Sequence, residues 1–545
     1  MTRSLPPLLA VVLSIAFLGC PPPPELHFTA AEMSGFEATT TYDAAVAYLE
    51  SQRDFAFSSS QMHLTTFGES AEGRPLPLVV IGADSSSAEA VLATGKPRLF
   101  LFANIHAGEV AGKEALLEFV RDHWKLVYGR EDIVMLIAPI YNADGNERVA
   151  LDNRPYQLGP IEGMGQRTNA QGLDLNRDFV KVAAPETRAM LQLFEDYDPH
   201  VVVDLHTTNG TQHAYHLTYS PPLSPNTAPA LDELVRQQIL PVVRDTVRVR
   251  TGFEIFDYGN VPGAFGEPAT RPRGWYTFDG RPRFSTNYVG LRNRIGILSE
   301  AYSYATFEDR VEASLAFVTA IADAVVAHGD RIQALTDSLD AEAEQGALRG
   351  EPFALRIRHV SEGDTTILMG DTEEIPHPTT GEPMRRRLDV VTPEVMPAFT
   401  RFEATETNTL PAAYVFPRDN QALRDLLDVH GITWGIPREG FCGPAEAFRI
   451  DSVKVLGEFQ QRDITEVTGA WEPVEGPVAG VVVPTNQPLA RLAFTILEPR
   501  SDDGAVAWNV LGDALQEGDL YPVLRIPDED GLRSILDGTG CAGEN

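Results

Sequence analysis

Short apolar runs alternate with helical patterns over the first two thirds of the chain. Four runs are almost wholly apolar and too short for helices, and they predict buried strands at 99–103, 133–139, 201–205 and 295–298. Apolar residues recur at helical spacing between and after these runs, which predicts helices at 110–124, 185–197 and 307–325. Strands that alternate with helices indicate an α/β fold, with a mixed, mostly parallel sheet flanked by helices.

The pattern changes in the last third of the chain. A polar segment rich in Ala, Glu and Asp ends near residue 350, and Thr, Val and Pro are more frequent beyond it. There the pattern predicts a single helix at 421–429 between short strands at 413–416 and 479–483. We therefore expect one domain over 28–345 and a second, β-rich domain of unknown role over 346–545.

The N-terminal residues have the pattern of a targeting segment. Arg3 precedes an apolar run that is too short to span a bilayer core of ~30 Å, which fits a signal peptide over 1–20. The tetrapeptide that ends at Cys20 resembles a bacterial lipobox, in which the cysteine is lipidated, and a Pro-rich linker follows over 21–27. We expect an exported protein, either a periplasmic or cell-envelope lipoprotein or a secreted protein, with membrane contact only through a lipid on Cys20.

Cysteine usage and net charge restrict the environment and the partners. If Cys20 carries lipid, Cys442 and Cys541 are left to pair in an oxidising compartment, although sequence alone does not establish the geometry. The net charge of −33 disfavours nucleic acid as a partner, because so acidic a surface repels phosphate. With 43% hydrophobic and 22% charged residues, the composition is that of a globular protein.

Residues that can bind a metal follow three of the predicted strands. His106 and Glu109 come directly after the first strand, and their spacing lets both side chains reach one ion from a tight turn. His206 follows the third strand and Glu300 follows the fourth. Because open α/β sheets bind ligands outside the carboxyl ends of their strands, we expect these four side chains to share one crevice. Two histidines and one glutamate form a catalytic Zn²⁺ set, and Glu300 is then the expected general base.

Arginines lie between these residues along the chain. Arg167 and Arg177 offer planar guanidinium groups, which suit a substrate carboxylate or an oxyanion. Either could equally be a salt-bridge partner in so acidic a protein.

At these positions the sequence resembles the zinc carboxypeptidase family, of which carboxypeptidase A is itself a reference example of a His₂Glu zinc site. The matching stretches occur in the family's order at 104–109, 142–145, 174–177, 204–206 and 298–300. The resemblance implies that His106, Glu109 and His206 bind one Zn²⁺ ion. It implies that Glu300 is the catalytic glutamate, which deprotonates a metal-activated water, and that Arg167 polarises the scissile carbonyl.

The resemblance also implies how the substrate is held. Asn176 and Arg177 look like the pair that grips the C-terminal carboxylate of a peptide. The family has a mobile tyrosine over the substrate, for which Tyr276 and Tyr288 are candidates, and its separation from Glu300 favours Tyr276. The expected partners are peptides or proteins with a free C-terminus. The sequence leaves the oligomeric state open.

The implied activity is hydrolysis of C-terminal peptide bonds by a metallocarboxypeptidase. Related scaffolds with a similar site leave two other enzymes open, a zinc amidohydrolase or deacylase and a peptidase of cell-wall peptides. An inactive peptide-binding module is a further alternative, which the presence of every expected ligand and of Glu300 disfavours.

Two other features of the sequence allow more than one interpretation. Six arginines precede Glu300, and part of this stretch could line the substrate cleft and favour acidic substrates, or pair with surface acids: Arg271, Arg273, Arg281, Arg283, Arg292 and Arg294. His213 and His216 could form a second metal site, but strand or rim histidines are the preferred interpretation.

Overall fold

The structure, a computed structural model of the full chain, describes residues 28–55, 62–127, 132–208, 210–264, 268–437, 441–442, 444–474, 477–512 and 515–536. The predicted signal peptide and linker lie outside these residues, and so does Cys541. Lipid on Cys20 and a disulfide between Cys442 and Cys541 therefore stay predictions.

One large sheet organises the chain before residue 346. Within the described residues its eight strands are β1 (Met62–Glu69), β2 (Pro75–Ile81), β3 (Arg98–Ala103), β4 (Val134–Ala138), β5 (Val201–Thr208), β6 (Leu217–Ser220), β7 (Ile255–Asp257) and β9 (Ile295–Tyr302). Their order across the sheet is β1-β2-β4-β3-β5-β9-β6-β7. The central neighbours β4, β3, β5 and β9 are parallel, whereas β1 with β2, β2 with β4 and β6 with β9 are antiparallel. Strands β3, β4 and β5 are buried along their whole length, as expected of parallel strands covered on both faces.

Helices connect these strands and cover the sheet, and three further helices lie beyond residue 346 in the described part of the chain. Among the described residues they are α1 (Ala30–Met33), α2 (Tyr42–Phe55), α3 (Ala88–Ala93), α4 (Val110–Val127), α5 (Ala143–Asn146), α6 (Pro185–Tyr197), α7 (Pro229–Leu234), α8 (Leu240–Thr251), α9 (Ser285–Leu291), α10 (Phe307–Glu344), α11 (Gln421–Val429), α12 (Ala490–Leu497) and α13 (Glu529–Leu536). A 3₁₀ turn covers Leu175–Arg177, and a π-helical turn at Val235–Ile239 joins α7 to α8. Helix α6 begins with Pro185 in its first turn, where the missing N–H leaves no bond unmade.

The fold predicted from the apolar pattern is confirmed. The four predicted strands are β3, β4, β5 and β9, and the three predicted helices are α4, α6 and α10. The outer strands β1, β2, β6 and β7 were not predicted. Strand β1 mixes polar with apolar residues, and β6 and β7 have only four and three residues, so each gives a weak pattern.

Helix α10 is longer than its pattern predicted, at 38 residues. By length and composition alone it could cross a membrane. It packs against α4, α8 and β9, and its buried side chains include Val311, Phe317, Ile321 and Val325. These contacts are those of a core helix.

The remainder of the chain is β-rich, as predicted. Within the described residues its strands, with β8 from the preceding region, are β8 (Trp275–Tyr276), β10 (Pro352–Val360), β11 (Asp364–Met369), β12 (Thr372–Pro376), β13 (Pro383–Arg387), β14 (Thr392–Phe399), β15 (Arg401–Thr409), β16 (Ala413–Phe416), β17 (Phe441–Cys442), β18 (Ala445–Phe459), β19 (Arg462–Val474), β20 (Pro477–Val478), β21 (Val481–Pro484) and β22 (Leu520–Ile526). A five-stranded sheet has the order β19-β18-β22-β16-β21. The expectation of a single helix here is wrong, because α12 and α13 accompany α11. Helix α12 has only eight residues and is buried on all sides, so its pattern does not separate a short helix from a buried strand.

The two regions pack against each other through a shared core. Strand β8 pairs in parallel with β14 across the junction. The hydroxyl of Tyr288 lies 2.9 Å from Nδ1 of His430, and the guanidinium of Arg283 lies 2.8 Å from the carboxylate of Asp503. The division into domains over 28–345 and 346–545 stays a prediction.

Candidate active site

A turn directly after β3 brings His106 and Glu109 together. Asn104 begins the turn with a left-handed backbone (φ 65°), which asparagine tolerates better than most residues. Its side-chain amide donates to the carbonyl of Ala107 at 3.2 Å, and the N–H of Glu109 donates to the carbonyl of His106 at 2.9 Å. As a result, Nδ1 of His106 lies 3.0 Å from Oε1 of Glu109.

Strands β5 and β9 bring in the second histidine and the second glutamate. His206 and Glu300 are register partners on these parallel neighbours, so their side chains leave the sheet on the same face. Nδ1 of His206 lies 2.8 Å from Oε2 of Glu109 and 3.2 Å from Nδ1 of His106. The two strand ends and the turn after β3 thus converge on one point.

His106, Glu109 and His206 form a group that can hold a metal ion. One ligand atom from each residue lies within 4.8 Å of the others, and all three residues are buried. Two imidazole nitrogens and one carboxylate oxygen suit a tetrahedral Zn²⁺ ion, with a fourth position for water or substrate.

Two aspartates hold the far side of the histidine rings. Oδ1 of Asp174 lies 3.0 Å from Nε2 of His106, and Oδ2 of Asp204 lies 2.9 Å from Nε2 of His206. A carboxylate at Nε2 fixes the proton there and leaves Nδ1 as the metal-binding atom. The donor set and these outer contacts fit a zinc site.

Nearby charges keep Glu109 ionised. Burial acts to raise its pKa, but Arg154, His106 and His206 together hold the pKa of Glu109 well below its usual value. Arg154 is ion-paired with Oε1 of Glu109 and donates to the carbonyl of Thr207 at 3.1 Å. The backbone N–H of Thr207 donates to Oε2 of Glu109 at 3.0 Å. Both carboxylate oxygens are therefore held in place.

The protonation of His206 depends on the carboxylates that surround it. Burial acts to lower its pKa, but Asp204 and Glu109 raise the pKa of His206 well above its usual value. A cation that binds to this cluster therefore competes with a proton.

Glu300 lies in the wall of the same cavity with one oxygen unpaired. Its Oε2 is buried and has no hydrogen-bond partner among the described residues. Burial, with a smaller contribution from Glu109, raises the pKa of Glu300 to about 8. A carboxyl group in this state can accept and release a proton near neutral pH.

The cavity in front of the metal-binding group has a volume of about 210 Å³. Its lining combines the metal-binding residues and Glu300 with three guanidinium groups, those of Arg154, Arg167 and Arg177. The remaining walls carry hydroxyl, amide, aromatic and aliphatic groups, from Asn176, Thr207, Thr208, Tyr258, Phe278, Phe284, Thr286 and Leu298. A cavity with three cationic groups suits an anionic ligand.

The loop around Asp174 positions the predicted substrate-binding residues. Arg167 donates to Oδ2 of Asp174 through Nε at 3.0 Å and Nη2 at 2.8 Å. The guanidinium of Arg177 stacks on the ring of Phe284 at 4.0 Å and donates to the carbonyl of Asn176 at 2.7 Å. Oδ1 of Asn176 accepts from the N–H of Ser285 at 2.9 Å.

Residues 50–280 match the family model described as zinc carboxypeptidase. The chain is 26% identical over 505 residues to "Carboxypeptidase 2" of Trichophyton tonsurans, which covers 87% of this chain and 85% of that protein. It is 32% identical over 199 residues to "Carboxypeptidase E" of Caenorhabditis elegans, which covers 31% of this chain and 40% of that protein. The chain therefore contains a zinc carboxypeptidase domain. It is a hydrolase, a zinc metallocarboxypeptidase.

A solved structure, a metallo-carboxypeptidase from Burkholderia cenocepacia, aligns with 53% of this chain and 70% of that chain, with a TM-score of 0.39 and 16% identity. The family match contains the predicted zinc ligands of this carboxypeptidase and also Arg167, Asn176 and Arg177, whereas Glu300 lies beyond its end.

The two candidate tyrosines of the carboxypeptidase lie outside the main cavity. Tyr276 lines an adjoining cavity of about 280 Å³, and its ring stacks on Phe399 of the β-rich region at 4.2 Å. Tyr288 is fully buried and bonded to His430. Tyr258, which the sequence did not single out, lines both cavities. The role of Tyr276 stays a prediction.

The arginine stretch before Glu300 is mostly ion-paired. Carboxylates bind five of the six: Arg273 pairs with Glu394, Arg281 with Asp279, Arg283 with Asp503, Arg292 with Glu195, and Arg294 with Asp198 and Asp340. Arg271 instead contacts Nδ1 of His359 at 3.2 Å and the ring of Tyr276. The five paired arginines therefore act as salt-bridge partners, and none of the six lines the main cavity, so the hypothesis that part of the stretch favours acidic substrates stays a prediction.

His213 and His216 of the carboxypeptidase belong to the packing of the fold. Burial, with a smaller contribution from Arg387, lowers the pKa of His213 to about 3 and that of His216 to about 4. The ring of His213 lies 4.2 Å from the ring of Tyr302. Within the described residues the only metal-binding group found is that of His106, Glu109 and His206.

Sequence reasoning missed three residues at this carboxypeptidase site. Asp204 stands two positions before His206 on a strand and so shares its face, a signal that the sequence does contain. Asp174 belongs to a matching stretch but had received no role of its own. Arg154 gives no local signal, because its loop alone brings it over Gly108, where an added Cβ would lie 3.1 Å from Cγ of Arg154.

Proposed function

We propose that this chain removes single residues from the C-terminus of peptides, with Glu300 as the general base and with zinc bound by His106, Glu109 and His206. The observation that carries the proposal is the convergence of these four side chains on one cavity that also contains three arginines. When bound, zinc supplies Lewis-acid chemistry, lowering the pKa of a water molecule and polarising a carbonyl.

Glu300 handles the proton in this proposal. Glu300 lines the cavity, its buried Oε2 has no hydrogen-bond partner among the described residues, and burial raises its pKa to about 8. In its ionised form this carboxylate takes a proton from the attacking water, and the carboxylic acid so formed passes the proton to the leaving amine. Placing the group in a preformed cavity removes much of the entropic barrier to that transfer.

Arginines hold the negative charges of the substrate. In this proposal Arg177, which stacks on Phe284, and the NH₂ group of Asn176, whose Oδ1 accepts from Ser285, bind the terminal carboxylate. Arg167 is fixed by Asp174 and is nearly half exposed, so its remaining N–H groups can stabilise the oxyanion that develops on the carbonyl. Gripping the carboxylate restricts cleavage to the last peptide bond.

The direct test is to follow peptide products by mass spectrometry. Purified protein with zinc is incubated with a mixture of peptides, beside Glu300→Gln and beside the same peptides with amidated C-termini. We expect stepwise loss of single C-terminal residues, abolished by a chelator, by Glu300→Gln and by amidation. Internal cuts would contradict the proposal, and so would zinc binding without turnover, which would instead support the deacylase or peptide-binding alternatives.

Two substitutions separate binding from chemistry. Arg177→Ala should raise KM for peptides with a free carboxylate more than it lowers kcat, because this residue binds ground state and transition state alike. Arg167→Ala should lower kcat by about 100-fold or more, because it removes a donor to the oxyanion. Similar effects of both changes on KM alone would contradict these two roles.

We also propose that the protein is exported through its N-terminal segment. Support comes from the basic start at Arg3, the apolar run and the tetrapeptide that ends at Cys20. Expression of the full chain in a bacterium, with fractionation and labelling by a radioactive fatty acid, tests it. Labelling that is lost in Cys20→Ser is expected; export without label would support secretion, and retention in the cytoplasm would contradict both.

A further inference from the structure

The tip of a long hairpin in the β-rich region reaches the active-site loop. Strands β18 and β19 are joined by a two-residue turn, Gln460-Gln461. Oε1 of Gln460 accepts from the backbone N–H of Asp174 at 2.8 Å, and Nε2 of Gln461 donates to the carbonyl of Gln171 at 2.8 Å. The hairpin is thus bonded to the loop that carries the carboxylate partner of His106.

The backbone of this turn is unfavourable for the residues that form it. Gln460 has φ 51° and Gln461 has φ 59°, so both adopt the left-handed conformation of a tight hairpin turn. Asn-Gly is the favoured pair in such turns, and glutamine is uncommon with a positive φ. The backbone conformation of the turn therefore does not explain why two glutamines occupy it. Their side-chain hydrogen bonds with the loop at Gln171 and Asp174 do explain it.

Asp174 links the hairpin to the metal-binding group. Asp174 is only 5% exposed, and its backbone N–H donates to Oε1 of Gln460. Its carboxylate contacts Nε2 of His106 and accepts two hydrogen bonds from Arg167. A shift of the Asp174 backbone would therefore move both His106 and Arg167, which line the main cavity.

We propose that Gln460 is a positioning residue, through which the β-rich C-terminal region fixes Asp174 and thereby orients His106 and Arg167. This assigns the C-terminal region a part in the reaction although it contributes no residue to the lining of the main cavity. The part of the proposal that concerns kcat rests on the proposed carboxypeptidase function, whereas the part that concerns zinc affinity does not.

A matched pair of glycine variants tests the proposal. Gln460→Gly and Gln461→Gly each remove one glutamine side chain from the same turn, and each relieves a positive φ. Both variants should keep or raise Tm. Only Gln460→Gly removes the acceptor of the Asp174 N–H, so any difference between the variants reports that contact.

The measurements are the zinc Kd by chelator competition on the full chain, and kcat and KM of the zinc-loaded enzyme. For Gln460→Gly we expect zinc Kd to rise and kcat to fall, each by about fivefold, the effect of losing one buried hydrogen bond, with KM within about twofold. For Gln461→Gly we expect all three values within about twofold of the unaltered protein.

The outcomes are distinguishable. Equal zinc affinities in the two variants, whether both normal or both weakened, would overturn the proposal, because the effect would then not depend on the acceptor at Gln460. A selective loss of zinc affinity in Gln460→Gly supports it even if the proposed peptidase activity proves wrong.

Discussion

Replacing Asp174 by asparagine should weaken zinc binding sharply while leaving the fold intact. The carboxylate faces donors on two sides: Nε2 of His106 at 3.0 Å from Oδ1, and Arg167 at 2.8 and 3.0 Å from Oδ2. Oδ1 also accepts from the N–H of Asn176 at 2.9 Å. Asparagine has the same shape but offers one oxygen and one NH₂ group.

Neither orientation of the new amide satisfies both sides. If its oxygen faces His106, its NH₂ group meets the guanidinium of Arg167, and donor faces donor. If its NH₂ group faces His106, the ring keeps its proton on Nδ1, the atom needed for zinc. Losing one hydrogen bond to a charged group corresponds to about 1.5–3 kcal/mol, which is about a 10- to 150-fold rise in zinc Kd.

The assay is chelator competition for zinc, combined with denaturant unfolding of the zinc-free protein. Asp198→Asn is the matched control, because Asp198 also binds two arginines, Arg98 and Arg294, each at 2.8 Å, but none of these residues lines the cavity. The control should lose stability and keep its zinc affinity. A zinc Kd within twofold of the unaltered protein in Asp174→Asn would refute the reasoning.

Three further predictions concern the junction, a close backbone approach and pH. Arg283→Ala should lower the free energy of unfolding by about 3–5 kcal/mol, because it leaves the buried carboxylate of Asp503 without its cation. The ratio of cleavage of acidic and neutral peptides should not change. A changed ratio would restore a substrate role for this arginine. Gly165→Ala should lower the free energy of unfolding by about 1–3 kcal/mol, because the added Cβ would lie 2.6 Å from the carbonyl oxygen of Ala107. It should also lower kcat, because the loop that carries Arg167 must move. Denaturant unfolding and peptide kinetics check this, and normal values for both would contradict it. Zinc should raise Tm more at pH 8 than at pH 6, because zinc competes with the proton on His206. In the zinc-free protein this proton stabilises the fold fully below the unfolded pKa of about 6.5, and its contribution is lost as pH rises through the raised folded pKa. Equal increases in Tm at both pH values would contradict the assignment.

The centre of the fold and the residues with metal-binding chemistry were predictable because their signals are local. Strands β3, β4, β5 and β9 are continuous apolar runs, since parallel strands covered on both faces need no polar side. His106 and Glu109 stand three residues apart directly after one such run, and His206 belongs to the end of another. Because strand ends in such a sheet meet at one edge, the cluster followed from topology before any distance was known.

Long-range contacts were decided only by the tertiary structure. Gln460 bonds to Asp174 from 286 residues away along the chain, and Arg283 bonds to Asp503 from 220 residues away. Neither pair has a periodicity or spacing that a sequence reveals, because the loops between them can follow many paths. The arginine stretch shows the same limit, since its local charge suggested a binding surface until distant carboxylates proved to neutralise most of it.

The sequence by itself therefore determined the α/β sheet, the edge at which the site lies and the side chains that can bind zinc. Only the tertiary structure decided which distant neighbours orient those side chains: Asp174 on His106, and the hairpin tip on Asp174. The physical reason is that backbone pattern and burial are encoded within a few residues, whereas the orientation of a ligand depends on hydrogen bonds from whichever segments the completed fold brings within about 3 Å.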